Sequence, residues 1–186
     1  MSITAQQARE VYEQADLLYS EHQVEAALTR MAAAISARLS NSNPLVLCVM
    51  TGGMVTTGKL LTQLDFPLQV DYIHVTRYRG ATLGGELQWV ARPACSPQDR
   101  VIIVIDDILD EGVTLAAIID EFRELGAREV YSAVLVDKLH ERKHDVQADF
   151  VGLMVEDRYV FGYGMDYHGY LRNAPGIYAV KQGVKE

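Results

Sequence analysis

The stretch VIIVIDDILDEGVTL, residues 101–115, decides how the chain is read. Its first five residues are apolar and mostly β-branched, which predicts a strand buried on both faces, because such strands lose the alternation of a half-exposed one. Three carboxylates follow, Asp106, Asp107 and Asp110, and then Glu111, Gly112, Val113 and Thr114. Beyond them Leu115, Ile118, Ile119, Phe122 and Leu125 recur at helical spacing, with Gly126 placed as a C-terminal cap. Residues 130–136 return as a strand and close a βαβ unit.

The same alternation extends outward. Residues 45–50 form a short apolar run, followed by a turn at Thr51, Gly52 and Gly53, a helical stretch through Leu60, Leu61 and Leu64, and a second strand at 70–75. Residues 150–154, 159–161 and 176–180 read as further short strands. This predicts an α/β fold with an open, mainly parallel sheet flanked by helices. The first forty residues read as helical: Thr4 with Gln7 and Ser20 with Gln23 fit the capping-box spacing, and Val24, Leu28, Met31, Ile35 and Leu39 form a stripe. Residues 77–100 break the pattern with Gly80, Gly84, Gly85, Pro93 and Pro97, and only 86–90 looks extended. An exposed, mobile, hairpin-like insertion is expected there, where a lid would be. The 186 residues are expected to form one domain, with a helical N-terminal segment at 1–43 and the lid insertion at 77–100.

Composition narrows the function. Hydrophobic residues are 49% and charged residues 23%, which excludes disordered and fibrous architectures. No apolar run approaches the roughly 20 residues that cross a bilayer, and MSITAQQARE lacks a signal peptide's basic and apolar regions, so no membrane and a cytoplasmic location are expected. Two cysteines cannot build a disulfide framework, and Cys48 reads as a small core residue. The net charge of −8 argues against nucleic acid as a partner. A small phosphate can still bind where backbone amides or a metal ion supply the positive end.

In open α/β sheets ligands bind beyond the carboxyl ends of the strands, where Asp106, Asp107 and Asp110 fall. Three acids in one place need a cation or hydrogen-bond donors, and vicinal hydroxyls with Mg²⁺ would serve. The helix start from Glu111 to Thr114 favours a phosphate through its amides and dipole; Gly112 lets the backbone come close and Thr114 adds a hydroxyl. A solitary aspartate at such a turn is usually a cap. The complete string after a buried strand is better explained as a ligand site.

That string resembles the signature with which type I phosphoribosyltransferases bind 5-phosphoribosyl 1-diphosphate. Three more segments are similar to the hypoxanthine-guanine branch and extend the resemblance over about residues 44–180. They are VMTGG at 49–53, LVDK at 135–138 and EDRYVFGYGMDYHGYLR at 156–172. The resemblance implies that family's fold, with a small hood from the N- and C-terminal parts. It implies transfer of phosphoribosyl to a 6-oxopurine with release of pyrophosphate, Mg²⁺ as cofactor, and a homodimer or homotetramer. It assigns Asp106 and Asp107 to the ribose hydroxyls, Asp110 to the general base, and Asp110, Glu111, Gly112, Val113 and Thr114 to the 5′-phosphate. Lys138 would donate to the purine oxo group, Tyr159 would stack on the ring, and Val160 would offer backbone groups. Thr51, Gly52 and Arg172 would face pyrophosphate, Asp166 a Mg²⁺ shell, and Arg77 and Tyr78 would belong to the lid. A cis peptide would join Met50 and Thr51.

The chain departs from the family's pattern at three points. Arg77 stands where relatives have Ser, Glu111 where many have Thr or Ser, and Thr51 where some have Lys. A carboxylate cannot donate to phosphate, so Glu111 is expected to point away while the amides bind. The five histidines are read as structural or solvated, and Tyr167, Tyr170 and Trp89 as packing residues. Two alternatives stand beside this reading: a phosphoribosyltransferase for xanthine or a pyrimidine, and a non-catalytic regulator that senses the donor.

Overall fold

The computed structural model describes residues 3–77, 87–139 and 146–181. The chain begins with α1 (Ala5–Gln14), β1 (Asp16–Ser20) and α2 (Glu21–Leu39). It continues through β2 (Leu45–Met50), α3 (Met54–Leu61), β3 (Gln69–Arg77), β4 (Leu87–Ala91), β5 (Val101–Leu109), α4 (Val113–Glu124), β6 (Glu129–Leu139) and β7 (Phe150–Glu156). Two short strands follow, β8 (Val160–Phe161) and β9 (Gly176–Ala179).

Both expected capping boxes form, at Thr4 with Gln7 and at Ser20 with Gln23. The first forty residues are nevertheless not wholly helical, because β1 separates the two helices. DLLYS carries no strand signal of its own; it is extended because it pairs antiparallel with β9, from Asp16 opposite Ala179 to Ser20 opposite Gly176. Two smaller corrections concern helix ends. Leu64 lies beyond α3, and Leu125 is an exposed cap of α4 rather than part of its buried stripe, while Gly126 takes the left-handed conformation expected of it.

The central sheet has the order β4-β3-β2-β5-β6-β7. Its interior pairings are parallel, and β4 is an antiparallel edge on β3, as the hairpin reading of that region expects. On one face α2 and α3 press Leu28, Ile35 and Leu60 onto Ile103, Ile105 and Leu135. On the other, α4 presses Ile118 and Phe122 onto Ile73, Ile102 and Val104. Each such side chain contributes about 1.5–3 kcal/mol by leaving water. Trp89 packs edge-on against Phe122, and Cys48 is buried, both as expected.

A second, three-stranded antiparallel sheet, β1-β9-β8, stands above the carboxyl end of the first. Its core joins Phe161, Tyr167 and Ala174 to Val11 and Tyr12 of α1 and to Tyr178. The N-terminal helix is thus part of the hood. Tyr167 packs as read, but Tyr170 is exposed and not a packing residue, since it lies in a surface turn whose backbone bridges to Tyr167.

Candidate active site

Strand β5 runs on to Leu109, so Asp106 and Asp107 belong to the end of the strand and not to the loop after it. Each carboxylate accepts from the next backbone N–H: Asp106 from Asp107 N at 2.8 Å, and Asp107 from Ile108 N at 2.8 Å. Burial, and then the neighbouring Asp107 charge, hold the Asp106 carboxyl well above the usual carboxylate range. Burial also raises Asp107, opposed by the hydrogen bond with Asp106 and by the Arg172 charge. Such a pair fits vicinal hydroxyls that arrive as donors.

The turn at 51–53 closes on β5 from the side. The Met50–Thr51 peptide is cis, as the resemblance implies. Gly52 sits so close that a Cβ there would lie 2.1 Å from Asp107 Oδ2. A side chain at this position would displace the buried acid. After Leu109 the chain turns through Asp110 and the exposed Glu111 into Gly112, whose φ of +79° makes it a left-handed N-cap for α4. The amides of the first helical turn have no partner within the helix, and the helix dipole favours an anion there.

Parallel register places Leu109 opposite Asp137, which brings Lys138 beside Asp110. The Lys138 ammonium, largely buried, lies 2.8 Å from Asp110 Oδ2 and 3.5 Å from Asp157 Oδ1. Facing them, the Tyr159 ring packs edge-on against Tyr167 with centroids 5.3 Å apart, and it stacks against His168 at 6.2 Å. Val160 is buried in β8. Asp107, Asp110, Lys138, Tyr159, Val160 and Asp166 all line one open cavity of about 470 Å³, together with Ile108, Asp157, Arg158 and Met165.

At the far rim Arg172 binds Asp166 Oδ1 at 2.6 Å and the Gly164 carbonyl at 2.6 Å, and it stands 4.0 Å from Asp107 Oδ2. Asp166 also accepts from Gly169 N at 2.7 Å. Four carboxylates and two cations line the cavity, so a polyanionic ligand would need positive charge beyond that of the protein. No group of three or more metal-ligating side chains gathers among the described residues. The oxygen donors suit a hard cation held by one or two carboxylates plus ligand phosphates, not a cage made by the protein alone.

The structure therefore brings Asp107, Asp110, Lys138, Tyr159, Val160 and Asp166 into one cavity, with Asp106 beside Asp107 and Arg172 against Asp166, whereas Glu111, Gly112, Val113 and Thr114 continue the chain from Asp110 without lining it. Thr51 is exposed in the turn that carries Gly52 and is not among the residues that line the cavity. Arg77 ends β3, and Tyr78 lies outside the described residues. Sequence reasoning missed four lining residues, Ile108, Asp157, Arg158 and Met165. Asp157 and Arg158 directly precede Tyr159, and their adjacency was the available signal. His168 is exposed, yet it is stacked on Tyr159 and so is not simply solvated.

Comparison with known proteins agrees with this geometry. The model of the phosphoribosyl transferase domain matches residues 14–168. The hypoxanthine-guanine phosphoribosyltransferase of Bacillus subtilis (strain 168) is 33% identical over 91% of this chain and 95% of its own length. The hypoxanthine-guanine-xanthine phosphoribosyltransferase of Tritrichomonas foetus is 31% identical over 90% and 92%. The crystal structure of a hypoxanthine phosphoribosyltransferase from Staphylococcus aureus superimposes with a TM-score of 0.85 at 27% identity, covering 89% of this chain and 91% of that one. The chain belongs to the phosphoribosyl transferase family.

Proposed function

We propose that the chain is a purine-salvage enzyme that transfers the 5-phosphoribosyl group from its diphosphate donor to hypoxanthine or guanine, giving the nucleoside monophosphate and pyrophosphate. One observation carries this reading: an acid–lysine pair and an aromatic ring share one cavity, and a phosphate-type helix start follows directly in the chain from its Asp110. The names of relatives covering about nine-tenths of the chain support the same substrates.

In this reading the C1′–oxygen bond to diphosphate breaks as a bond from a purine nitrogen to C1′ forms, and the proton on the purine passes to Asp110. Lys138 is donor only and so matches a 6-oxo group and rejects a 6-amino group. Its contact at 2.8 Å also fixes where the Asp110 carboxylate sits. Tyr159 covers the ring face, held in orientation by Tyr167 and His168. Asp106 and Asp107 accept the ribose hydroxyls, and the amides after Gly112 hold the 5′-phosphate while Glu111 stays in solvent. The Thr51–Gly52 turn and Arg172 face the diphosphate. Charge develops on the ribose ring in the transition state, and these groups stabilise it by being already in place.

Mg²⁺ would be held by Asp166 or the ribose acids together with donor phosphates, and would supply charge neutralisation to the leaving diphosphate. Among the described residues no helix is long and apolar enough to cross a membrane, and the partners in this reading are small molecules. The test is a panel of hypoxanthine, guanine, xanthine, adenine and uracil, each incubated with donor and Mg²⁺ and scored for nucleotide. Product from hypoxanthine or guanine but not adenine is expected. Product from uracil alone, or from no base, would overturn the assignment.

A further inference from the structure

Three consecutive residues between β8 and Asp166 lie in the left-handed region: Gly162 at φ +101°, Tyr163 at +48° and Gly164 at +110°. Glycines adopt this freely, but for a tyrosine it carries a cost that surrounding contacts must offset. The contacts are visible. The Tyr163 side chain is 4% exposed, and its hydroxyl donates to Glu25 Oε1 at 2.5 Å. The same carboxylate oxygen receives the Lys59 ammonium at 2.7 Å, and that ammonium stands 5.9 Å from the Tyr163 ring. Hydrogen bonds from Lys59, then from Tyr163, hold the Glu25 carboxyl below its usual range, while burial and Glu25 hold the phenol protonated.

The three partners come from three separate segments. Glu25 is on α2, Lys59 is on α3, which runs directly out of the 51–53 turn, and Tyr163 adjoins Gly164. Gly164 rests on that same turn, so closely that a Cβ on it would lie 2.1 Å from the Gly52 carbonyl. It also exchanges backbone contacts with Arg172, through Gly164 N to Arg172 O at 2.9 Å and the guanidinium to Gly164 O. None of the three side chains lines the cavity.

We propose that Glu25, Lys59 and Tyr163 form a clamp that fixes the gap between the 51–53 turn and the segment bearing Asp166 and Arg172, and so positions the diphosphate end of the donor site. The inference rests on the donor-binding reading above. The three are positioning residues and touch no reacting atom. Their influence is specific in direction: it reaches the diphosphate groups and leaves the Lys138–Tyr159 half of the cavity alone.

The experiment compares wild type with Y163F, E25Q, K59M and the double variant E25Q/Y163F. It measures steady-state kinetics for both substrates, and calorimetric binding of inorganic pyrophosphate with Mg²⁺. Y163F should raise the donor KM and weaken pyrophosphate binding by about tenfold, the scale of one charge-assisted hydrogen bond. The KM for the purine and kcat should stay within about twofold. K59M removes only a half-exposed ion pair and keeps the protein folded if the others do not, and its shift should have the same direction and smaller size. The double variant should lose no more than the larger single loss, because the contacts act as one unit. Equal rises in both KM values, or multiplicative losses in the double variant, would overturn the clamp. A wild type that makes nucleotide and binds pyrophosphate, with unchanged variants, would overturn the clamp alone. A wild type that does neither would overturn the donor reading as well.

Discussion

Replacing Gly164 by alanine tests how the hood sits on the sheet. At φ +110° an alanine backbone is strained by about 1–3 kcal/mol. Its methyl would also meet the Gly52 carbonyl at 2.1 Å, with Asp107 Cβ behind it at 3.6 Å. The nearest atom is backbone within a turn that is itself packed against β5, so it cannot swing aside, and overpacking of this kind costs about another 1–3 kcal/mol. The expected loss is therefore about 4 kcal/mol, which for a chain of this size lowers the melting temperature by about 8–16 °C. Gly169 is the control, because it has a similar φ of +86° and no atom within 4 Å of its would-be Cβ. Gly169→Ala should cost only about 1–2 kcal/mol of backbone strain. Urea unfolding and thermal melts of the two variants, measured without ligand, give the comparison. Losses within about 1 kcal/mol of each other would refute the claim that close packing of 164 on 52, rather than backbone handedness, sets the cost.

Three further outcomes follow from the cavity. Asp110→Asn should lower turnover by about 10²-fold or more in initial-rate assays while leaving donor KM nearly unchanged, and wild-type turnover would remove Asp110 from the base role. Tyr159→Ala should raise the KM for the base about tenfold, on the scale of one ring stacked on a base, with donor KM within twofold; a donor-only effect would contradict the stacking assignment. Asp106 has its folded pKa raised, so the native state binds its proton more tightly than the unfolded chain does. Stability from this group is then greatest below the unfolded carboxylate pKa near 4 and falls as pH rises towards the raised folded value. Asp106→Asn should therefore gain stability in metal-free urea titrations, more at pH 7 than at pH 4. A gain that shrinks with rising pH would show the wrong sign.

The parallel sheet and its order of elements were legible because buried strands and amphipathic helices carry local signals: VIIVI and the Leu115–Phe122 stripe are readable in isolation. The string at 106–114 was readable for the same reason, since one strand end and one helix start lie next to each other in the chain. The hood was not. β1 is extended only because of a partner near residue 179, and no window of sequence contains both. Ile108 and Met165 reach the cavity through strand register and hood packing, which composition does not encode. Likewise the extension of β5 to Leu109 depends on pairing with β6, so the chemical character of Asp106 and Asp107 was clear while their place on a strand was not.

The pairing of β1 with β9 bears on the order in which the molecule becomes competent. A ribosome releases residue 16 early and residue 179 late, with the whole six-stranded sheet emerging between them. The acids of β5 and the start of α4 can therefore acquire native surroundings while β1 still waits for its mate. Tyr159, whose carbonyl accepts from Val180 N, and Val160 of β8, which pairs with Ala179 of β9, gain a rigid seat only at the end. The nascent polypeptide would pass through a stage able to hold a sugar phosphate before it can hold a planar ring. Truncations that remove β9 should leave that half-built stage as the end product.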